Sequence, residues 1–479
     1  MLRRPVSTSV RLLHNPCLPW LTSATLLFSD VLMLGLASAT TIWVRWLLPG
    51  SLPLELYAGL WPGLVVFAAI YGLVGLYRVG LTPVEELRLL SYTSSALFLV
   101  FGATTFLFKG GELYSRSVFL VVWLLSLLLV PLGRALVRQS FAAKPWWGEA
   151  VVIFGAGATQ CQVVRTLQSQ PGLGFKPIAM LDNDASRHGT ACAGGPVAGG
   201  MDMAPTVARQ LGVRYAVVAM PGVPRGELLK LLEQQERVFP HLLLIPDLLG
   251  FSSLWISPRD LGGMLALELR QQLLLPGPRL LKRLMDLGLV ALAALPLALL
   301  TAVIALLIRL ETKGPVFYGH PRIGQGGRMF RAWKFRSMVL DADRVLEQYL
   351  AHHPELREEW EQNHKLKHDP RVTRVGRFLR RTSLDELPQL WNVLKGEMSL
   401  VGPRPIVQEE VGRYSQELSL YLKVRPGLSG LWQVSGRNDT SYAQRVALDA
   451  YYVRNWSVWL DLYILARTTL AVLSKNGAY

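Results

Sequence analysis

Leu287-Gly288-Leu289-Val290-Ala291-Leu292-Ala293-Ala294-Leu295-Pro296-Leu297-Ala298-Leu299-Leu300-Thr301-Ala302-Val303-Ile304-Ala305-Leu306-Leu307-Ile308 is a run of 22 residues with Thr301 as its only polar side chain. About 20 apolar residues are enough for a helix to cross the ~30 Å hydrocarbon core of a bilayer. Both flanks are basic: Arg279, Lys282 and Arg283 come before, Arg309, Lys313 and Arg322 after. A crossing helix would leave one of these clusters outside, against the preference of positive flanks for the cytoplasm. Pro296, near the middle, removes a backbone donor and kinks a helix. Two readings stay open on these residues: a re-entrant segment that turns at Pro296, and an ordinary fifth span.

Four further apolar runs precede it, near Leu21–Leu48, Leu56–Tyr77, Leu89–Phe108 and Val118–Val137. Each approaches spanning length. Arg3, Arg4 and Arg11 precede the first, Arg78 and Arg88 lie between the second and third, and Arg134, Arg138 and Lys144 follow the fourth. Positive-inside reasoning puts these regions in the cytoplasm, although Arg45, Lys109 and Arg116 reduce the bias. Membrane runs also decide what the formal charge of +16 means. They exclude nucleic acid and favour anionic lipid or phosphorylated substrates. Cys17, Cys161 and Cys192 show no paired spacing, so neither a disulfide framework nor a cysteine zinc site is expected.

Residues 147–275 read as a soluble α/β domain. Ala150–Phe154 is a β-branched run ending in Gly155-Ala156-Gly157, with a helical stretch from Ala158 and further strands at Pro177–Leu181, Tyr215–Met220 and His241–Ile245. Strand, glycine turn, helix and strand make a Rossmann-like unit. Gln160 stands where the third glycine of a dinucleotide fingerprint would be, so the motif is incomplete.

The chemistry-bearing cluster is Thr382-Ser383-Leu384-Asp385-Glu386-Leu387-Pro388. Adjacent carboxylates before a helix-opening proline lie where free N–H groups attract phosphates. One carboxylate can attack phosphorus, and a second can hold Mg2+. The plainer alternative is a capping box from Ser383 to Glu386. Residues 365–381 carry seven Lys/Arg against the single acid Asp369. Lys334 and Arg336, Arg380, Arg404 in Gly402-Pro403-Arg404-Pro405, Arg425 before Pro426-Gly427, and Arg437 in Gly436-Arg437-Asn438 add cations on constrained backbone. Cations around a carboxylate pair suggest phosphoryl transfer, in which positioning and charge neutralisation dominate.

Lys334-Phe335-Arg336-Ser337-Met338, the stretch from Arg380 to Leu390, Val401-Gly402-Pro403-Arg404-Pro405 and the stretch from Arg425 to Asn438 resemble, in order, the bacterial sugar transferase family, the monotopic polyprenyl-phosphate phosphoglycosyl transferases. The resemblance covers roughly Leu281–Tyr479, and the whole layout resembles the long-form undecaprenyl-phosphate galactose phosphotransferases. It implies a membrane α-helical plus α/β protein. A tail and four-helix transmembrane bundle would occupy 1–146, a Rossmann-like cytoplasmic domain 147–275, and a mostly helical catalytic domain with a re-entrant helix broken at Pro296 would occupy 276–479. Leu295 stands where the family often has Ser before that proline. The resemblance implies Asp385 as nucleophile on a UDP-sugar, Glu386 as Mg2+ ligand, and Arg380 and Arg404 as phosphate contacts, with Lys334 lining the same site. Undecaprenyl phosphate would accept a hexose 1-phosphate, galactose or a related sugar, at the cytoplasmic face of the bacterial inner membrane. Membrane lipids and a second copy of the chain are further expected partners. Two other readings compete. A membrane nucleotide-sugar oxidoreductase or dehydratase would need a Tyr-x-x-x-Lys pair that the chain lacks. A non-enzymatic scaffold would leave the cation-ringed carboxylates unexplained.

Overall fold

A computed structural model describes residues 14–47, 59, 61–107, 115–155, 157–184, 186, 191–192, 195–220, 222–245, 256–260, 265–269, 272–353, 369–414, 417–435 and 441–473. The chain forms two compact units, Met1–Phe251 and Ser252–Tyr479.

The first unit opens with helices α1 (Pro19–Trp46), α2 (Trp61–Leu73), α3 (Pro83–Leu107) and α4 (Arg116–Phe141). α1, α3 and α4 are long and apolar enough to cross a membrane. α2 has 13 residues, short of a full span, and the start of the expected second run lies outside the described residues. Leu34, Phe67, Tyr71, Leu90 and Val130 form the packed centre of these helices, while Leu73, Leu99 and Leu128 face outward. Arg134 corrects the sequence reading. It does not follow the fourth helix but lies within it, fully buried. Its guanidinium donates to both Asp30 oxygens at 2.8 and 2.5 Å, to Glu86 at 2.7 Å and to the Leu76 carbonyl at 2.8 Å. Glu86 also accepts from Arg138 at 2.8 Å. Two acids and two arginines thus cancel within the bundle, as buried charge requires.

The same unit contains strands β1 (Glu149–Phe154), β2 (Phe175–Leu181), β3 (Ala191–Cys192), β4 (Gly195–Gly199), β5 (Tyr215–Val218) and β6 (His241–Leu244). The sheet order is β3-β4-β2-β1-β5-β6, parallel except for β3. Helices α5 (Ala158–Ser169), α6 (Ala204–Leu211) and α7 (Arg225–Gln235) connect the parallel strands. Val151 to Phe154 are completely buried, because helices cover both faces of such a sheet. The strand order reverses direction at β1, between β2 and β5, as in doubly wound sheets. Cys17 is a buried free thiol, whereas Cys161 is disulfide-bonded, its partner lying outside the described side chains. The sequence reading expected no disulfide framework, because no local spacing signals this one.

The second unit is mixed. A hairpin of β7 (Ile256–Asp260) and β8 (Leu265–Leu269) precedes α8 (Pro276–Glu311). A second hairpin joins β9 (Phe317–Ile323) to β10 (Met329–Phe335). Then come α9 (Ala342–His352), α10 (Arg374–Thr382), α11 (Gln389–Lys395), β11 (Ser399–Val401), β12 (Gly427–Ser429), α12 (Tyr442–Asn455) and α13 (Val458–Leu473). The helix α8 runs uninterrupted through Pro296, so the turn expected there is not a break between two helices. A proline costs one ladder bond but leaves the helix free to continue with a kink.

Both ends of α8 are anchored in this unit. Near its start, Lys282 donates to Asp461 at 2.6 Å, Asp286 accepts from Ser399 Oγ at 2.7 Å, and Arg283 donates to the Val393 carbonyl at 2.5 Å. Near its end, Ile304 and Ile308 pack against Phe335 and Leu379. Glu311 accepts from the first backbone amides of α10, Arg374 at 2.7 Å and Val375 at 3.0 Å. Between the anchors, Leu292, Leu295 and Leu299 are 82%, 74% and 63% exposed, a leucine surface suited to lipid rather than water.

Candidate active site

Asp385 and Glu386 lie in a single 3-10 turn, Leu384–Glu386, between α10 and α11. Ser383 ends α10 in the left-handed conformation at φ 56°, the only non-glycine residue with positive φ among those described. The capping-box alternative fails, because the Ser383 side chain makes no cap hydrogen bond. Instead Ser383 reverses the chain and presents both carboxylates from the turn.

Three contacts hold the turn against β10. Asn392 of α11, completely buried, accepts from Trp333 N at 3.1 Å and donates to the Arg331 carbonyl at 2.8 Å. Ser337 Oγ, just past β10, accepts from Arg380 Nε at 2.9 Å. α10 approaches so closely that a Cβ at Gly376 would lie 2.1 Å from the Ser337 carbonyl oxygen. Lys334 on β10 therefore faces the turn. Its ammonium lies 2.6 Å from Glu386 and 3.8 Å from Asp385.

The two carboxyls titrate in opposite directions. Burial pushes Asp385 up, Lys334 pulls it down, and the Glu386 charge adds to the rise. Burial acts the same way on Glu386, but Lys334, then Arg404 and Arg322, outweigh it and hold Glu386 low. Opposed shifts in neighbouring carboxyls are a mark of divided roles. A carboxyl held low, as in Glu386, suits a cation or donor partner, while a more basic Asp385 suits attack on phosphorus. Among the described residues no cluster of three or more metal-ligating side chains occurs. The pair still fits Mg2+, which is commonly held by one or two carboxylates plus substrate phosphates.

Arg404 and Arg322 complete the cation shell. Arg404 lies in the Gly402–Pro405 turn after β11. That turn packs backbone to backbone on β12, where a Cβ at Gly427 would lie 2.0 Å from Gly402 N. The third sequence motif and the start of the fourth are thus one structural element. Arg322 Nη1 donates to the Pro405 carbonyl at 3.1 Å and faces Arg404, Glu410 and Glu386. The sequence reading treated Arg322 only as a flank of the apolar run. No motif marks it, because strand pairing across the β9–β10 turn brings it in.

The chain also matches known proteins. Residues 277–475 match the model of the bacterial sugar transferases. Over 370 residues the chain is 40% identical to the UDP-galactose-lipid carrier transferase of Erwinia amylovora, covering 76% of each protein. The chain belongs to the bacterial sugar transferase family. A second relative of this sugar transferase is the undecaprenyl-phosphate galactose phosphotransferase of Salmonella typhimurium, 37% identical over 398 residues and 81% of each chain. The exopolysaccharide production protein ExoY of Rhizobium meliloti is 50% identical over 198 residues, 88% of its own length but 41% of this one. Residues 73–246 match a CoA-binding domain.

Not every expected site residue of the transferase joins the cluster. Arg336 does not: it donates to the carbonyls of Thr312 and Lys313, both at 3.0 Å, just past α8. It sits beyond the end of β10, where those carbonyls need donors. Arg425 packs near Arg283 and Asp286 at the start of α8. Arg437 lies outside the described residues. The glycine turn of the α/β sheet is filled from within. The Gln160 side chain bonds the Ala219 carbonyl across the switch point, and a Cβ at Gly155 would lie 2.4 Å from it.

Proposed function

We propose that this enzyme transfers a sugar 1-phosphate, of galactose or a related hexose, from a UDP-sugar to undecaprenyl phosphate and releases UMP, opening the synthesis of an exopolysaccharide, capsule or O-antigen. The observation that carries the reading is the Lys334 ammonium lying against both Glu386 and Asp385, with Arg380, Arg404 and Arg322 around them. An Asp385 oxygen attacks the sugar-bearing phosphorus, and the bond from that phosphorus to the bridging oxygen breaks. UMP leaves with the electron pair. A phosphate oxygen of the lipid then attacks the same phosphorus and returns Asp385 as a carboxylate. The arginines and Lys334 neutralise the phosphoryl oxygens through both steps. Bound Mg2+, held by Glu386 and substrate phosphates, would supply further charge neutralisation.

The membrane part of the reading places the catalytic unit at the cytoplasmic face of the bacterial inner membrane, with α8 re-entrant and bent at Pro296. Its support is that residues 282–286 and 304–311 are both anchored in one unit while the leucines between them are bare. The middle domain is Rossmann-like in this reading, with no dinucleotide at its Gln160-filled turn, which disfavours an oxidoreductase. The chain pairs with a second copy in the membrane. Incubation with a panel of UDP-sugars and undecaprenyl phosphate tests the whole reading. UMP release and a labelled lipid product are expected with at least one sugar, and neither product with any sugar would sink it.

A further inference from the structure

Arg404 is held by Trp432 of the fourth motif and by Arg445 and Asp449, which lie outside every motif that marks the site. Its guanidinium carbon lies 5.5 Å from the centre of the Trp432 ring, and that of Arg445 lies 4.7 Å from the same ring. Arg445 also lies 5.2 Å from the Tyr442 ring and 3.7 Å from Glu410, whose other oxygen is 3.9 Å from Arg322. One turn of α12 beyond Arg445 is Asp449, 3% exposed. Asp449 Oδ2 accepts from the Tyr414 hydroxyl at 2.7 Å, and the carboxylate faces the backbone amide and the charge of Arg404. Its Oδ1 finds no hydrogen-bond partner among the described residues, nor do Trp432 Nε1, Arg445 Nε and Nη2, or the Tyr442 hydroxyl.

We propose that Asp449, with Trp432 and Arg445, positions Arg404 for the transferring phosphate: Asp449 fixes its backbone, and Trp432, itself braced by Arg445, fixes its guanidinium. The inference rests on the transferase reading above and names residues that the reading does not use. Arg445 and Asp449 are four residues apart on α12, hence on one face, so a single helix sets both restraints. Stacking on an indole leaves the guanidinium N–H fork available to oxygen acceptors while removing its rotational freedom. Preorganised donors need no rearrangement as charge develops, which is where Arg404 acts.

The test is a cycle of Asp449→Asn and Arg404→Lys in the full-length protein, read as UMP release in nanodiscs. Asparagine keeps the shape and the acceptor for Tyr414 but removes the charge. Asp449→Asn should lower kcat/KM about tenfold in the wild-type background and less than about twofold in Arg404→Lys, since groups acting as one unit are not additive. The pH profile is a second readout that packing alone would not move. Burial lifts the Asp449 carboxyl to about 7, against the pull of the Tyr414 hydrogen bond and of Arg445 and Arg404. Tyr421 and Tyr442 also face it. Arg404 is held best when Asp449 is ionised, so the wild type should lose activity as pH falls through about 7, and Asp449→Asn should lack that limb. If Asp449→Asn misfolds, Trp432→Phe, which keeps a ring but weakens the cation contact, should give the same non-additivity with Arg404→Lys. Equal losses in both backgrounds, or an unchanged limb, would overturn the positioning role while leaving the transferase reading intact. A wild type that releases UMP from no UDP-sugar would overturn both.

Discussion

Lys334 donates to Glu386 at 2.6 Å, which leaves its distance to Asp385 at 3.8 Å. One ammonium therefore serves two carboxylates unequally, and the more weakly held one is the proposed nucleophile. A nucleophile tied tightly to a cation would be a poorer one, so the asymmetry favours attack through Asp385.

Replacing Asp385 tests this most directly. Asp385→Asn keeps the side-chain shape without its anion, and both half-reactions should fall by at least about a thousandfold, as losses of covalent nucleophiles do. With UDP-sugar labelled in the β-phosphate and no lipid acceptor, label should remain on the wild-type protein and be absent from the variant. Unlabelled wild type, with kinetics requiring both substrates bound together, would count against the covalent route.

Lys334→Met should shift the pH profile. The Lys334 charge lowers both carboxyls, so its loss leaves Asp385, already raised by burial, higher still. A larger share of Asp385 is then protonated at a given pH, and the acid limb of kcat/KM that Asp385 sets, read in the Asp449→Asn background where the Asp449 limb is absent, should move to higher pH. A limb that stays in place would separate Lys334 from Asp385 ionisation.

Metal removal addresses Glu386. EDTA should abolish turnover and Mg2+ restore it, and Glu386→Gln should need more Mg2+ than wild type for half-maximal rate. Full activity in EDTA would remove Mg2+ from the proposal.

Gly376→Ala should act through packing. A Cβ 2.1 Å from the Ser337 carbonyl oxygen forces α10 off the end of β10. Overpacking of this kind costs about 1–3 kcal/mol. A lower melting temperature should come with reduced activity, because Arg380 and Ser337 separate together. Unchanged melting would show that α10 shifts without strain.

Orientation can be read by labelling. An engineered cysteine at the exposed Lys423 should resist an impermeant reagent applied outside intact cells and react once cells are opened. Labelling from outside would exclude a re-entrant α8 with a cytoplasmic catalytic unit.

Much of this was legible in the sequence because the signals were local. The apolar runs, the β-branched strand before Gly155 and the cluster at Asp385 and Glu386 each carry their meaning within a few residues. Lys334, Arg380 and Arg404 were legible as cations on constrained backbone, and the fold brings them to the carboxylates. What escaped depends on tertiary pairing. Arg322 arrives through the hairpin register, and Arg336 is diverted to carbonyls after α8, although the two look alike in sequence. Arg134 read as a topological marker because its counter-charges, Asp30 and Glu86, lie 104 and 48 residues away.

Those separations bear on how the protein is made. A ribosome delivers Asp30 first, then Glu86, and only later the arginine that neutralises them. An unpaired charge at a helix centre costs about 2.5–3.5 kcal/mol on insertion. α1 is therefore at its least stable in the bilayer while the nascent chain still lacks α4. Biogenesis should favour a holding step, in which the early helices wait beside the translocon or an insertase until Arg134 emerges and the group partitions into lipid together. Chains truncated before Arg134 should be poor membrane residents and ready substrates for quality-control proteolysis.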